Sequence, residues 1–151
     1  MKKLLFGLLF TVAFSASAQI SGRMFTDHTS TQDMVWSEVE GTYMFFPKNQ
    51  RYEEYNMIES NINQGGTGKI VVTDIKTKVA YTWTVYQVNY DKTEEGTEFV
   101  RCECVEVQTG DQCTFIFTRY GDHRMVSVMM PSSRLAIFMD DFGDEERKRF
   151  Y

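Results

Sequence analysis

The chain has no apolar run of the ~20 residues that a membrane-spanning helix needs. Its longest, residues 4–14, is shorter and is broken by Gly7 and Thr11. No serine sits in a Gly-x-Ser-x-Gly elbow, which excludes the nucleophile of that hydrolase type. The glycine-rich segment 63–70 fails as a phosphate loop. Asn63 stands where the first glycine is required, and Ile70 where a Ser or Thr must follow the lysine. Histidine is scarce. His28 follows Asp27 and His123 follows Asp122, but adjacency in sequence does not orient an imidazole. The acidic pairs Glu53-Glu54, Glu94-Glu95 and Asp140-Asp141 read as surface, and on a strand Glu53 and Glu54 would point to opposite faces. No catalytic residue, metal or cofactor is expected, and the chain is read as a non-enzyme.

Positive charge is also in deficit. Sixteen Lys and Arg face twenty-one Asp and Glu, for a net charge of −5. That balance argues against nucleic acid and anionic membranes as partners.

What is present begins with an export signal. Lys2 and Lys3 precede the apolar run, and Ala16-Ser17-Ala18 is a small-x-small cleavage site. Cleavage is predicted after Ala18, leaving a single domain over residues 19–151 in the periplasm or outside the cell. Without Lys2 and Lys3, fourteen basic residues remain against twenty-one acidic, a net charge of −7. No cysteine follows the site, so lipid attachment there is not expected.

The rest of the chain reads as strands. Residues 19–33 are polar, with room for a short strand at residues 23–26 and otherwise an arm crossing the surface. Residues 34–46 read as one strand with Gly41 as a bulge, ending at a turn over Pro47-Lys48-Asn49-Gln50. Residues 51–62 fit a helical stripe or a returning strand, and the flanking strands favour a strand. Residues 61–68 form a glycine-rich loop. Residues 70–75 and 79–88 make a hairpin, with Val79, Tyr81, Trp83 and Val85 on one face of its second strand. After an acidic loop at residues 89–96 comes a meander over residues 97–130, cut by turns at Gln108-Thr109-Gly110-Asp111 and Tyr120-Gly121-Asp122-His123. A last strand spans residues 135–139, followed by a charged tail from about Asp140.

The meander holds all three cysteines. Val100, Cys102 and Cys104 share a face, as do Cys113, Phe115 and Phe117. A two-residue loop at Thr109-Gly110 sets Glu106 against Cys113 and places Cys104 diagonally across from it. Two readings stay open: one disulfide to Cys113, from Cys104 or Cys102, or three buried cysteines acting as small apolar residues. A soft-metal site of Cys102, Cys104, Cys113 and His123 is disfavoured. Structural zinc sites space their cysteines more widely, and exported thiols oxidise.

The predicted class is therefore all-β: an antiparallel meander of eight or nine strands, closed as a barrel or folded as a two-sheet sandwich. Trp36 ahead of Gly41-Thr42-Tyr43, with a meander following, resembles the lipocalin and calycin group, with Tyr43 where the family's Gly-x-Trp has tryptophan. The resemblance implies an apolar ligand in the barrel lumen and carries over no catalytic residue. The eight methionines that remain after Met1 suit an adaptable apolar lining. The expected function is a binding module for a small apolar ligand, lined by Tyr81, Trp83, Phe115, Phe117 and Met129. The alternative is an envelope or secreted protein that binds or inhibits another protein through an edge strand or the 61–68 loop.

Overall fold

The computed structural model describes residues 22–141, apart from Arg51, Gln64, Gly121 and Asp122. The predicted signal peptide and the end of the charged tail lie outside the described residues. The strands are β1 (Gly22–Ser37), β2 (Thr42–Pro47), β3 (Tyr52–Ile62), β4 (Gly68–Asp74), β5 (Ala80–Lys92), β6 (Glu98–Glu106), β7 (Gln112–Tyr120), β8 (His123–Met130) and β9 (Leu135–Asp141). All pairings are antiparallel, and the sheet order is β2-β1-β3-β4-β5-β6-β7-β8-β9, with β1 also paired to β9. Eight strands thus close into a barrel, and β2 is added outside the ring. Closure decides for the barrel over the sandwich. Residues 51–62 resolve to strand from Tyr52 onward.

β1 makes the closure. It is 16 residues long and uses both of its edges. Gly22 to Thr29 pair with β3 on one edge, and Thr26 to Asp33 pair with β9 on the other. Past β3, the first edge is taken over by β2, from Gln32 to Ser37. The polar arm expected over residues 19–33 is in this part the longest strand of the fold. It was hidden because a β-bulge between Thr26 and His28 breaks the period of two, and because the residues facing the core are threonines. The single strand expected over residues 34–46 is a hairpin. Gly41, at φ +62°, turns the chain where an L side chain is strained, and its N–H donates to the Ser37 carbonyl at 2.9 Å.

The core fills the inside of the ring. Ile58, Ile70, Val85, Cys102, Cys104, Phe115, Val126 and Val128 are buried there at positions two apart along their strands. A second bulge between Val85 and Gln87 shifts the alternation in β5, so that Val88 joins Trp83 and Val85 on the core side. The β4–β5 hairpin is held by Asp74, whose Oδ1 accepts from the N–H of Lys76 at 2.7 Å and of Thr77 at 2.8 Å. Those bonds, that from Thr77 foremost, hold the Asp74 carboxyl below its ordinary range. Opposite, Asn63 Oδ1 ties the 63–67 loop by accepting from Gly65 N at 2.9 Å and Thr67 N at 3.2 Å.

Candidate functional site

The residues predicted to line a ligand site do not all meet. Trp83 meets Phe115 edge-on at 4.9 Å, Phe115 stacks on Phe117 at 6.3 Å, and Tyr81 tilts against Trp83 at 6.3 Å. Phe115 is fully buried in the core, with Trp83 and Phe117 partly buried against it, while Tyr81 is about half exposed. Met129 pairs with Thr114 and Ala136, which puts it on the opposite face of the sheet from Val128 and the core.

The cysteines sit two residues from the expected register. Cys104 lies directly opposite Cys113, and Cys102 opposite Phe115. The connection is longer than two residues. Glu106 N donates to the Asp111 carbonyl, and Gly110, at φ +76°, donates back to the Glu106 carbonyl, each at 2.9 Å. All three cysteines are buried free thiols, and the Cys104–Cys113 bridge is not formed. Burial, and then Glu103 beside it, pushes the Cys102 thiol up to about 12. Its hydrogen bond with Cys104, and then burial, push the Cys113 thiol up as well. Protonated thiols are poor nucleophiles and poor metal ligands. Among the described residues no group of three His, Cys, Asp or Glu is placed to hold a metal ion.

Adjacency brings Asp27 and His28 together without orienting the imidazole, since His28 Nδ1 has no hydrogen-bond partner among the described residues. At the β1 bulge, His28 Nδ1 lies 2.9 Å from Asp27 Oδ1, with both side chains largely covered. A bulge sets consecutive residues toward the same side, which strict alternation forbids. The pair faces Glu53 across the β3 ladder.

The feature that sequence reasoning missed is the β1–β2 ribbon. Beyond Asp33, β1 has no further β9 partner, so residues 34–37 and β2 continue as a two-stranded ribbon past the ring. Directly paired residues share a face. Met34 with Phe45 and Trp36 with Tyr43 form one face, and Val35 with Met44 and Asp33 with Phe46 form the other. Met34 is buried, and Phe45 meets Phe138 of β9 edge-on at 6.2 Å, which anchors the root. Farther out, Trp36 meets Tyr43 edge-on at 5.1 Å and is 54% exposed, while Val35 on the other face is 51% exposed. Met44, Phe46 and Val39 at the tip are exposed too. Both faces are therefore apolar and open. Among the described residues β2 pairs with β1 alone, which leaves its outer backbone edge unpaired. The charge on the ribbon is confined to Glu38 and Glu40 at the turn and to a Lys48–Asp33 contact of 3.4 Å at the root. The signal was two apolar runs, Met34-Val35-Trp36 and Tyr43-Met44-Phe45-Phe46, on either side of a polar stretch, read as one strand with a bulge at Gly41.

No family model, no curated protein and no solved structure matches this chain. The closed eight-strand antiparallel barrel is compatible with a lipocalin-like arrangement. Gly41-Thr42-Tyr43, however, lies in the turn and outer strand of the ribbon.

Proposed function

We propose that this chain is a non-enzymatic interaction protein of the periplasm or cell exterior, which docks another protein through the β1–β2 ribbon. One observation carries the reading: a two-stranded ribbon apolar on both faces, next to a strand edge that is unpaired among the described residues. An antiparallel sheet in water ordinarily keeps one face polar. Contiguous exposed apolar surface and a free hydrophobic edge are the marks of a surface built to be covered. Trp36, Tyr43 and Phe46 are of the residue types that dominate protein interfaces. A partner strand added along β2 would gain main-chain hydrogen bonds together with side-chain pockets. Export rests on the first eighteen residues of the sequence.

The test is affinity capture from the native host with the wild-type chain and with a Trp36→Ser/Phe46→Ser variant. A defined partner held by the wild type and lost by the variant, at unchanged thermal stability, supports the reading. Equal capture by both sinks it. A small-ligand module is the second reading. It is favoured by the half-exposed Tyr81 tilted on Trp83, and by the barrel itself, on which any kinship with the calycins would also rest. Native mass spectrometry separates the two, since a bound small molecule leaves on denaturation with a stoichiometric mass.

A further inference from the structure

The outer edge of β2 has a fixed pattern of backbone groups. The Met34 N–H donates to the Arg134 carbonyl at 2.8 Å, away from β2. In an antiparallel ladder a residue points its N–H and C=O to the same side, and opposed residues alternate between bonded and unbonded pairs. Met34 and Phe45 are therefore an unbonded pair, and Phe45 points its N–H and C=O away from β1. Two positions along in either direction, Tyr43 and Pro47 point the same way. Tyr43 and Phe45 thus present two donors and two acceptors along the edge. Pro47, which has no N–H, adds an acceptor and costs no bond to β1. No other strand takes these groups among the described residues.

The charges along the ribbon run in one direction. Glu38 and Glu40 stand at its tip and Lys48 at its root. A copy of β2 laid antiparallel reverses that order and sets the root of each ribbon beside the tip of the other, whereas a parallel copy sets like charges together. We propose that β2 pairs antiparallel with β2 of a second copy of this chain, about a twofold axis at Met44, joining two barrels through one continuous sheet. The inference rests on the reading of the ribbon as a docking surface and names its partner. With Met44 on the axis, Tyr43 lies opposite Phe45 of the second copy and exchanges both backbone bonds with it, and the symmetric pair does the same. All four outward groups of Tyr43 and Phe45 are then used in each copy. With Phe45 on the axis, Tyr43 would face Pro47, and its carbonyl would lack a donor. The Met44 register also brings Glu40 level with Lys48 of the second copy, and both side chains are exposed. Val35, Trp36, Val39, Met44, Phe45 and Phe46 are 36–92% exposed. They leave about 600 Å² of open apolar surface in each copy, and a pair that covers it buries about 1,200 Å², the lower limit of a specific interface.

The test is sedimentation velocity at low salt, over a range of concentrations, on the chain and its variants purified from the native host. The expected result is a monomer–dimer equilibrium with a Kd of about 1–100 μM. Glu40→Lys and Lys48→Glu, each alone, set like charges together at both contacts of the twofold pair and should weaken the dimer about fivefold or more. Mixed one to one, the two variants place Lys against Glu at both contacts and should form a heterodimer within about twofold of the wild-type affinity. A merely structural role for either residue would not produce that rescue. Circular dichroism melts of each variant should match the wild type, since both positions are exposed. A chain that stays monomeric at about 1 mM overturns the proposal. So does a dimer that neither variant weakens, or one that both weaken without rescue on mixing. Affinity capture then tells the two failures apart. A different host protein, lost from Trp36→Ser/Phe46→Ser, leaves the ribbon a docking surface and excludes only the second copy, whereas equal capture sinks the docking surface as well.

Discussion

Replacing Phe115 with alanine is the sharpest test of how this barrel is held together. The ring is fully buried, meets Trp83 edge-on at 4.9 Å and stacks on Phe117 at 6.3 Å. A buried Phe→Ala change costs ~3–5 kcal/mol, because transfer free energy is lost and the surrounding core closes the gap only in part. Each lost aromatic pair accounts for about 0.5–1.5 kcal/mol of that. A domain of this size has a total stability of roughly 5–15 kcal/mol, so the change removes about a fifth of it or more. With a urea slope of about 2 kcal/mol per molar, the unfolding midpoint should fall by about 1.5–2.5 M at unchanged slope. Urea titration followed by circular dichroism measures this. Tyr81→Ala, made at the half-exposed end of the same aromatic row, is the control and should cost under about 1 kcal/mol. If Phe115→Ala costs no more than Tyr81→Ala, the aromatic row is not the centre of the core and the argument fails.

Further outcomes are expected at Cys102, Gly68 and Asp74. Cys102 should resist iodoacetamide at pH 8 in the folded protein and react fully in denaturant, as read by mass spectrometry. Because its thiol is raised to about 12 in the fold from an ordinary value near 9, the stability it contributes is complete below pH 9 and is lost as pH rises toward 12. Thermal melts across that range should show the midpoint declining, and declining less in Cys102→Ala. Gly68→Ala should fail to fold or melt far lower, since a Cβ there would overlap the Asn61 carbonyl oxygen and stand 2.8 Å from the Ile62 Cα. Asp74→Ala should lower the melting midpoint more than Asp74→Asn, because asparagine keeps an acceptor for the Lys76 and Thr77 N–H groups. The lowered pKa of this carboxyl also means its contribution is present at neutral pH and is lost on acidification, an effect that Asp74→Asn should abolish.

The all-β class, the antiparallel meander and most strand positions from β3 onward were legible because they rest on local periods. Alternation in Val100-x-Cys102-x-Cys104 and Cys113-x-Phe115-x-Phe117 assigns the core face with no knowledge of the neighbouring strands. The register between those strands was misjudged by two residues. Register follows from loop geometry, and the left-handed Gly110 makes a longer loop than the commonest hairpin type. β1 was largely illegible for two physical reasons. Its bulge interrupts the period, and its inner face is threonine, so the burial signal is absent from the residue types themselves.

The chain's residues by themselves therefore determined an antiparallel all-β domain, its turns at Pro47, Lys76-Thr77-Lys78 and Gly110, and the dry face of the meander. Each of these depends on side chains a few positions apart, whose steric and solvation preferences act wherever the segment lies. Tertiary structure alone decided that the sheet closes, since closure requires Thr26–Asp33 to meet Leu135–Asp141 from the far end of the chain. It also decided which apolar residues stay outside. Met34 and Trp36 are alike in hydropathic role and two positions apart, yet Met34 is covered and Trp36 is open. The ladder to β9 stops at Asp33, and only the strand beyond it leaves the ring.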